Sequence, residues 1–246
     1  MYNFIDLHCH ILAGIDDGAK DTKMMTRMLD IAYADGIKTI CFTPHFKIYK
    51  FNDDKEISNY NHAILKRFED ARQYVKNTYP DMSLYLGNEI MYHNDVLNSL
   101  VSNKCLTIAD SSYVLVEFSP HISRYDLKNA TSKLLRKGFR PILAHVERYS
   151  ALLKDFALLK ELKESGAIIQ IIASSITSFR FGKSSRFVKK ALRNRLVDIV
   201  STDSHDDIAL LPSLSKANRK VCKRYGHEYA KKIFHDNQLI IINKLH

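Results

Sequence analysis

The chain has 246 residues, 46% of them hydrophobic, enough for one substantial core and too many for a disordered or low-complexity protein. Its net charge is +10, and its four cysteines (Cys9, Cys41, Cys105, Cys222) show no zinc-ribbon spacing. None of them has an arginine six residues on, which excludes the phosphate loop of thiol phosphatases. No run approaches the ~18 apolar residues of a membrane span, and MYNFIDLHCH enters a strand at once, leaving no room for a signal peptide. A reduced, cytoplasmic protein without membrane insertion is expected.

The first strand, near 3–8, ends in His8 and His10. Strand side chains alternate, so both histidines are expected on one face, with Leu7 and Cys9 turned toward helices. Asp6 lies one step deeper, where it could orient an imidazole or cap buried backbone. The loop AGIDDGAKD adds Asp16 and Asp17, and Met25, Met28, Leu29 and Ala32 then mark a helical stripe. A strand near 37–42 runs out at Thr43-Pro44, since proline cannot continue the ladder, and His45 follows. A helical pattern over 53–77 leads to a strand near 83–88, broken at Gly87-Asn88 before Glu89.

A strand near 113–118 carries Glu117 inside YVLVEF; a buried carboxylate there needs a metal or an arginine as partner. Helical patterns over 126–138 and 151–166 flank a strand near 141–145 that ends at His145. Glu147 reads as an acidic first-turn residue, while the planar fork of Arg148 suits a phosphate clamp. After a strand near 167–172, positions 179–195 (FRFGKSSRFVKKALRNR) concentrate positive charge without the extended aromatic interleaving of a single-strand nucleic-acid platform. That composition disfavours a nucleic-acid partner and suits docking to an acidic or phosphorylated one. The last strand, near 197–202, delivers Asp203 and His205 to one face.

Regular strand–helix alternation implies parallel strands with right-handed crossovers, and seven such units imply an α/β fold, a distorted (β/α)7 TIM-like barrel, as one domain over 1–246. In a barrel those strand ends converge on one mouth. The gathered His, Asp and Glu side chains exceed the needs of one tetrahedral zinc, so two or three divalent metal ions are expected, with Mn, Fe or Zn all compatible with N and O ligands.

The motifs DLHCHILAGIDDGAKD, TPHF, GNEIMY, VEFS, ILAHVERY and STDSH resemble the PHP (polymerase and histidinol phosphatase) superfamily. More closely, they are similar to the PHP-type bacterial protein-tyrosine phosphatases of capsule and exopolysaccharide loci, the CpsB type. The resemblance implies a trinuclear, usually manganese, site that hydrolyses phosphotyrosine on a cognate bacterial tyrosine kinase. Carried onto this chain, the metal ligands would be His8, His10, Asp17, His45, Glu89, Glu117, His145, Asp203 and His205. Arg148, His145 and His205 would be the catalytic residues, and Arg148 would bind phosphate. The family typically has another phosphate-binding arginine about five residues after the last histidine, where this chain has Leu210. Either Arg180, Arg186 or Arg124 replaces it, or the second clamp is missing.

The expected chemistry is attack by a metal-activated hydroxide, with no phosphoenzyme. The alternatives are a small-molecule phosphatase, such as a histidinol-phosphate phosphatase, on the same site, and a degenerate domain that binds metal or a partner without catalysis. The filled ligand set argues against degeneracy.

Overall fold

The computed structural model describes residues 2–178 and 182–243, so Arg180 lies outside the described residues. Among the described residues, nine parallel strands form two sheets. β1 (Phe4–Asp6), β2 (Ile37–Phe42) and β4 (Ser83–Leu86) make a three-stranded sheet in the order β1-β2-β4. A six-stranded sheet runs β3 (His45–Phe46), β5 (Glu89–Met91), β6 (Tyr113–Glu117), β7 (Arg140–Leu143), β8 (Ile168–Ile172) and β9 (Ile199–Ser201).

The seven expected strand segments are present, and the two additional strands have a specific origin. β3 continues β2 beyond Pro44, and β5 continues β4 beyond Gly87-Asn88, so each chain segment pairs first in one sheet and then in the other. The break transfers the sheet rather than ending the strand, and it puts His45 opposite Glu89. The two sheets approach across β1 and β9, where the His10 amide donates to Ser204 O at 2.9 Å and the Asp203 amide to His8 O at 2.9 Å. β4 and β6 are not paired with each other; a 3-10 turn at Ile108–Asp110 contacts both and fills the gap.

The helices are α1 (Thr22–Ala34), α2 (Asp54–Thr78), α3 (Val96–Val101), α4 (Arg124–Arg136), α5 (Ser150–Lys154), α6 (Ala157–Glu164), α7 (Ala173–Thr177), α8 (Lys183–Arg193), α9 (Ser215–Tyr225), α10 (His227–Lys231) and α11 (Asn237–Ile242). Carboxylate N-caps start α1 and α2: Asp21 accepts from the Met24 amide and Asp53 from the Glu56 amide, each at 2.8 Å. The single helix expected over 151–166 is two, because Asp155 turns extended and its carboxylate caps the Ala157 amide.

Apolar residues divide by strand face. Ile40, Val114, Val116, Ile169 and Val200 belong to the outer core shared with the helices. Ile5, Leu7, Cys41, Leu115, Ile142 and Ile199 fill the inside, plugged by Ile241 and Ile242 of α11. Leu7 therefore points inward rather than toward the helices as expected. The alternation slips between Leu7 and His8, where β1 has already ended. Asp6 secures that slip: its Oδ1 accepts from the His8 and Thr202 amides and its Oδ2 from the Thr202 hydroxyl. Of the two roles open to Asp6, it takes the backbone cap.

Candidate metal centre

Beyond the slip, His8 and His10 share the mouth of the curled sheet with the ends of the other strands. His8 Nε2 lies 3.2 Å from Glu89 Oε1 and 3.2 Å from Asp203 Oδ1, and 3.3 Å from His10 Nε2. His10 Nε2 is 3.3 Å from Glu89 Oε2. His45 contributes Nδ1 at 2.9 Å from Glu89 Oε2 and Nε2 at 3.3 Å from Asp17 Oδ1. His205 Nε2 faces the same Asp17 oxygen at 3.6 Å, and its ring stacks on His10 with centroids 4.1 Å apart.

These side chains form three overlapping groups with ligand atoms within 4.8 Å of one another: His10, Asp17, His45 and His205; His8, His10, Glu89 and Asp203; and His45, Glu89 and Glu117. Glu89, His10 and His45 each belong to two groups. His145 stands outside the three groups, yet its Nε2 is 2.9 Å from Glu89 Oε1 and 3.6 Å from Glu117 Oε1. The structure thus brings all nine expected ligand residues to one mouth.

Neighbouring side chains fix how the imidazoles present themselves. Gln170 Oε1 accepts a hydrogen bond from His8 Nδ1 at 2.9 Å and another from the His145 amide at 3.3 Å, so Nε2 is the His8 nitrogen turned to the cluster. Asp16 Oδ2 does the same for His10 Nδ1 at 2.7 Å, and also accepts from the His45 amide. His205 Nδ1 donates to Asp203 O at 2.9 Å. Ring nitrogens with one side tied and the other free are the arrangement metal-binding histidines need. The two adjacent aspartates thereby separate in role: Asp16 orients, and Asp17 faces the cluster. Gly18, which follows them, lets the loop pass close against His10, since a Cβ there would sit 1.9 Å from His10 O.

Two strand-end residues take a left-handed backbone that non-glycine residues rarely adopt, His145 at φ 34° and Asp203 at φ 52°. Both side chains enter the cluster as a result. The hydroxyl of buried Tyr149 holds the adjoining ends of β6 and β7, donating to Ala144 O at 2.6 Å and accepting from the Phe118 amide at 3.2 Å. Arg148 donates from Nη2 to Asp203 Oδ2 at 2.7 Å while 44% of its side chain remains exposed at the mouth.

The electrostatics suit the binding of cations. Burial disfavours charge on Glu89, yet the surrounding imidazoles, His8 foremost, hold its carboxyl well below the usual range. His8 is likewise buried, but the Glu89 and Asp203 carboxylates outweigh that and raise it to about 9. Burial and the nearby Glu89 charge push Glu117 up. Among the described residues, Glu117 Oε2 and His145 Nδ1 are buried in this mouth without a hydrogen bond, and Glu89 Oε2 and His45 Nδ1 have only each other and His10 Nε2 within 3.3 Å. Unsatisfied lone pairs among carboxylates and imidazoles fit divalent cations and little else.

Two expected substrate contacts are not brought here. Arg124 is held at the surface by ion pairs with Asp155 and Glu161. Arg186 is exposed on α8 and makes no ion pair with the cluster. The sequence reading missed Gln170, although a polar residue interrupting IIQII is the same signal that marked Glu117. It also missed Lys47, which with Lys50, Asp16, Asp17, His45 and Tyr60 lines a cavity of ≈ 430 Å³ beside the cluster. Glu147 does lie in the first turn of the short 3-10 helix Val146–Arg148, as expected, but it is buried there and accepts from the Ile172 amide at 3.0 Å.

The family model described as capsular polysaccharide synthesis, CpsB/CapC, matches residues 4–243. The tyrosine-protein phosphatase CpsB of Streptococcus pneumoniae is 32% identical over 243 residues, 97% of this chain and 98% of its own. The tyrosine-protein phosphatase YwqE of Bacillus subtilis is 30% identical over 244 residues, 98% of this chain and 92% of its own. A solved structure from work on YwqE and CpsB, described as unique metal-dependent tyrosine phosphatases, matches with a TM-score of 0.85 at 26% identity, covering 98% of this chain and 94% of that one. A D-hydantoinase from Thermus sp. matches with a TM-score of 0.56 at 11% identity, covering 99% of this chain and 71% of that one, a likeness of fold alone.

Proposed function

The chain belongs to the CpsB/CapC family of capsular polysaccharide synthesis, and from that premise we propose that it is a metal-dependent protein-tyrosine phosphatase whose metals are held by the clustered residues at the barrel mouth. The observation that carries this reading is Glu89, whose two carboxylate oxygens each face two imidazoles. A carboxylate so surrounded would hold divalent cations together with those imidazoles. The three overlapping ligand groups support a trinuclear site, and the hard N and O donors support Mn, with Fe or Zn also accommodated.

His8, His10, Asp17, His45, Glu89, Glu117, His145, Asp203 and His205 would hold the metals. When bound, divalent cations neutralise a phosphomonoester dianion and make hydroxide available near neutral pH. The protein's own residues do the positioning. Gln170 and Asp16 keep His8 and His10 in the tautomer that faces the cluster. Asp203 holds one edge of the Arg148 guanidinium, and the exposed remainder of the fork is free to take two phosphoryl oxygens and stabilise charge as it develops there. The leaving tyrosine has a pKa of ~10, so its departure demands less proton donation than an alkyl alcohol would. No cysteine takes part: burial raises the Cys9, Cys41 and Cys105 thiols, and none lies in the mouth. The physiological substrate would be a phosphotyrosine-bearing protein, a bacterial tyrosine kinase of capsule or exopolysaccharide synthesis, met in the cytoplasm.

Elemental analysis of purified protein, run beside hydrolysis of a phosphotyrosyl peptide and of histidinol phosphate, tests this reading. Two or three bound divalent ions per chain with a preference for the peptide are expected. Full turnover in excess chelator would overturn it.

A further inference from the structure

The net charge of +10 has a location. α8 carries Lys183, Arg186, Lys189, Lys190 and Arg193, α9 carries another five cations, and neither helix contains an acid. Removing those ten from the 37 basic residues leaves 27, which the 27 acidic residues balance. The rest of the molecule is therefore neutral, and the whole excess sits on two helices. They are neighbours, both packed on α7. Lys220 of α9 feels Lys189 of α8 together with Arg224 and Lys216, and its ammonium is lowered by burial and by those like charges. Lys220 apart, no cation of either helix forms an ion pair with an acid among the described residues. α8 also packs directly on the turn that holds Arg148.

Random solvation of a surface interleaves both signs. A one-sign face that starts beside the catalytic mouth concentrates potential for an anionic chain. We propose that the α8–α9 face binds an acidic segment, rich in Asp and Glu, of the same polypeptide whose phosphotyrosine enters the mouth. This rests on the phosphatase reading for the role of the mouth, and on charge and placement for the face itself. The observations favour a polypeptide over a lipid surface, because neither helix exposes a large apolar side chain that could enter a membrane.

The test uses the full metal-loaded chain and a fluorescent, unphosphorylated glutamate-rich peptide, so that it reads the face whether or not the protein is a phosphatase. Binding by anisotropy is expected to weaken with salt and to fall about tenfold or more in a K189E/R193E/K216E/R224E variant. A phosphotyrosyl peptide with that acidic extension should be turned over with a higher kcat/KM than one with a serine extension, and the variant should lose the difference while hydrolysing a small aryl phosphate as before. Salt-insensitive binding by the unaltered protein would overturn the proposal even if the variant failed to fold. So would equal binding of acidic and serine peptides, or binding to phosphatidylserine vesicles without binding to the peptide. Peptide binding without hydrolysis of any phosphotyrosyl substrate would instead sink the phosphatase reading and leave the face standing.

Discussion

At the scale of single residues, Arg148 and Gln170 have separable jobs. Arg148 is anchored at one nitrogen by Asp203 and exposed elsewhere, so its loss should remove a charged contact to phosphate without disturbing the metal cluster. Hydrogen bonds to charged groups contribute about 1.5–3 kcal/mol, which corresponds to roughly a 10- to 100-fold fall in kcat/KM for Arg148→Ala. Arg148→Lys should recover only part, because an ammonium cannot make the two-oxygen fork. Metal content measured on both variants should match the unaltered protein; a loss of metal would show that Arg148 holds the cluster rather than the substrate. Gln170 is the converse case. Gln170→Ala leaves the His8 ring and the His145 amide without their common acceptor, so metal affinity should fall about 10- to 100-fold. Isothermal titration of the metal-free variant with manganese reads this directly, and unchanged affinity would remove Gln170 from the site.

At the scale of elements, the barrel mouth depends on segments that stop being regular. β2 and β4 each break and resume in the other sheet, and the breaks carry His45 and Glu89 into register. Much of this could be read beforehand: Pro44 and Gly87-Asn88 marked where the ladders fail, and an acid or histidine followed each apolar run. The resumption as β3 and β5 could not be read, since two- and three-residue strands have no periodicity to detect. Nor could the slip after Leu7, because it comes from Asp6 pairing with Thr202, a partner 196 residues away. The plug is a third case. LIII near the carboxyl end has no polar alternation, and only the fold shows Ile241 and Ile242 sealing the inner core. Ile241→Ala should cost about 2–5 kcal/mol through lost burial and the cavity left behind. Denaturant unfolding checks this, and because the plug lies among the inner apolar residues, metal affinity in the folded fraction should stay the same. A cost near zero would mean that α11 merely rests on the barrel.

At the scale of the whole molecule, the site is a charge problem that the fold alone solves only partly. In the metal-free protein a proton on His8 does part of the work of a cation, since Glu89 and Asp203 raise it to about 9 against burial. The sign follows from linkage. A folded-state value above the ordinary 6.5 of histidine means that this proton stabilises the metal-free fold fully below pH 6.5, and that the benefit is lost as pH rises through about 9. A divalent ion must displace the same proton to reach the imidazole lone pair, so metal and proton compete. Stabilisation by manganese at a fixed concentration should therefore be smallest near pH 6 and grow toward pH 8.5. At a hundredfold excess over the dissociation constant it amounts to about 2.7 kcal/mol, a rise in Tm of roughly 5–10 °C for a chain of this size. Thermal melts with manganese or chelator across that pH range measure the difference. An increment that stays flat, or that shrinks as pH rises, would mean that His8 keeps its proton in the loaded protein and that the cations sit elsewhere in the mouth.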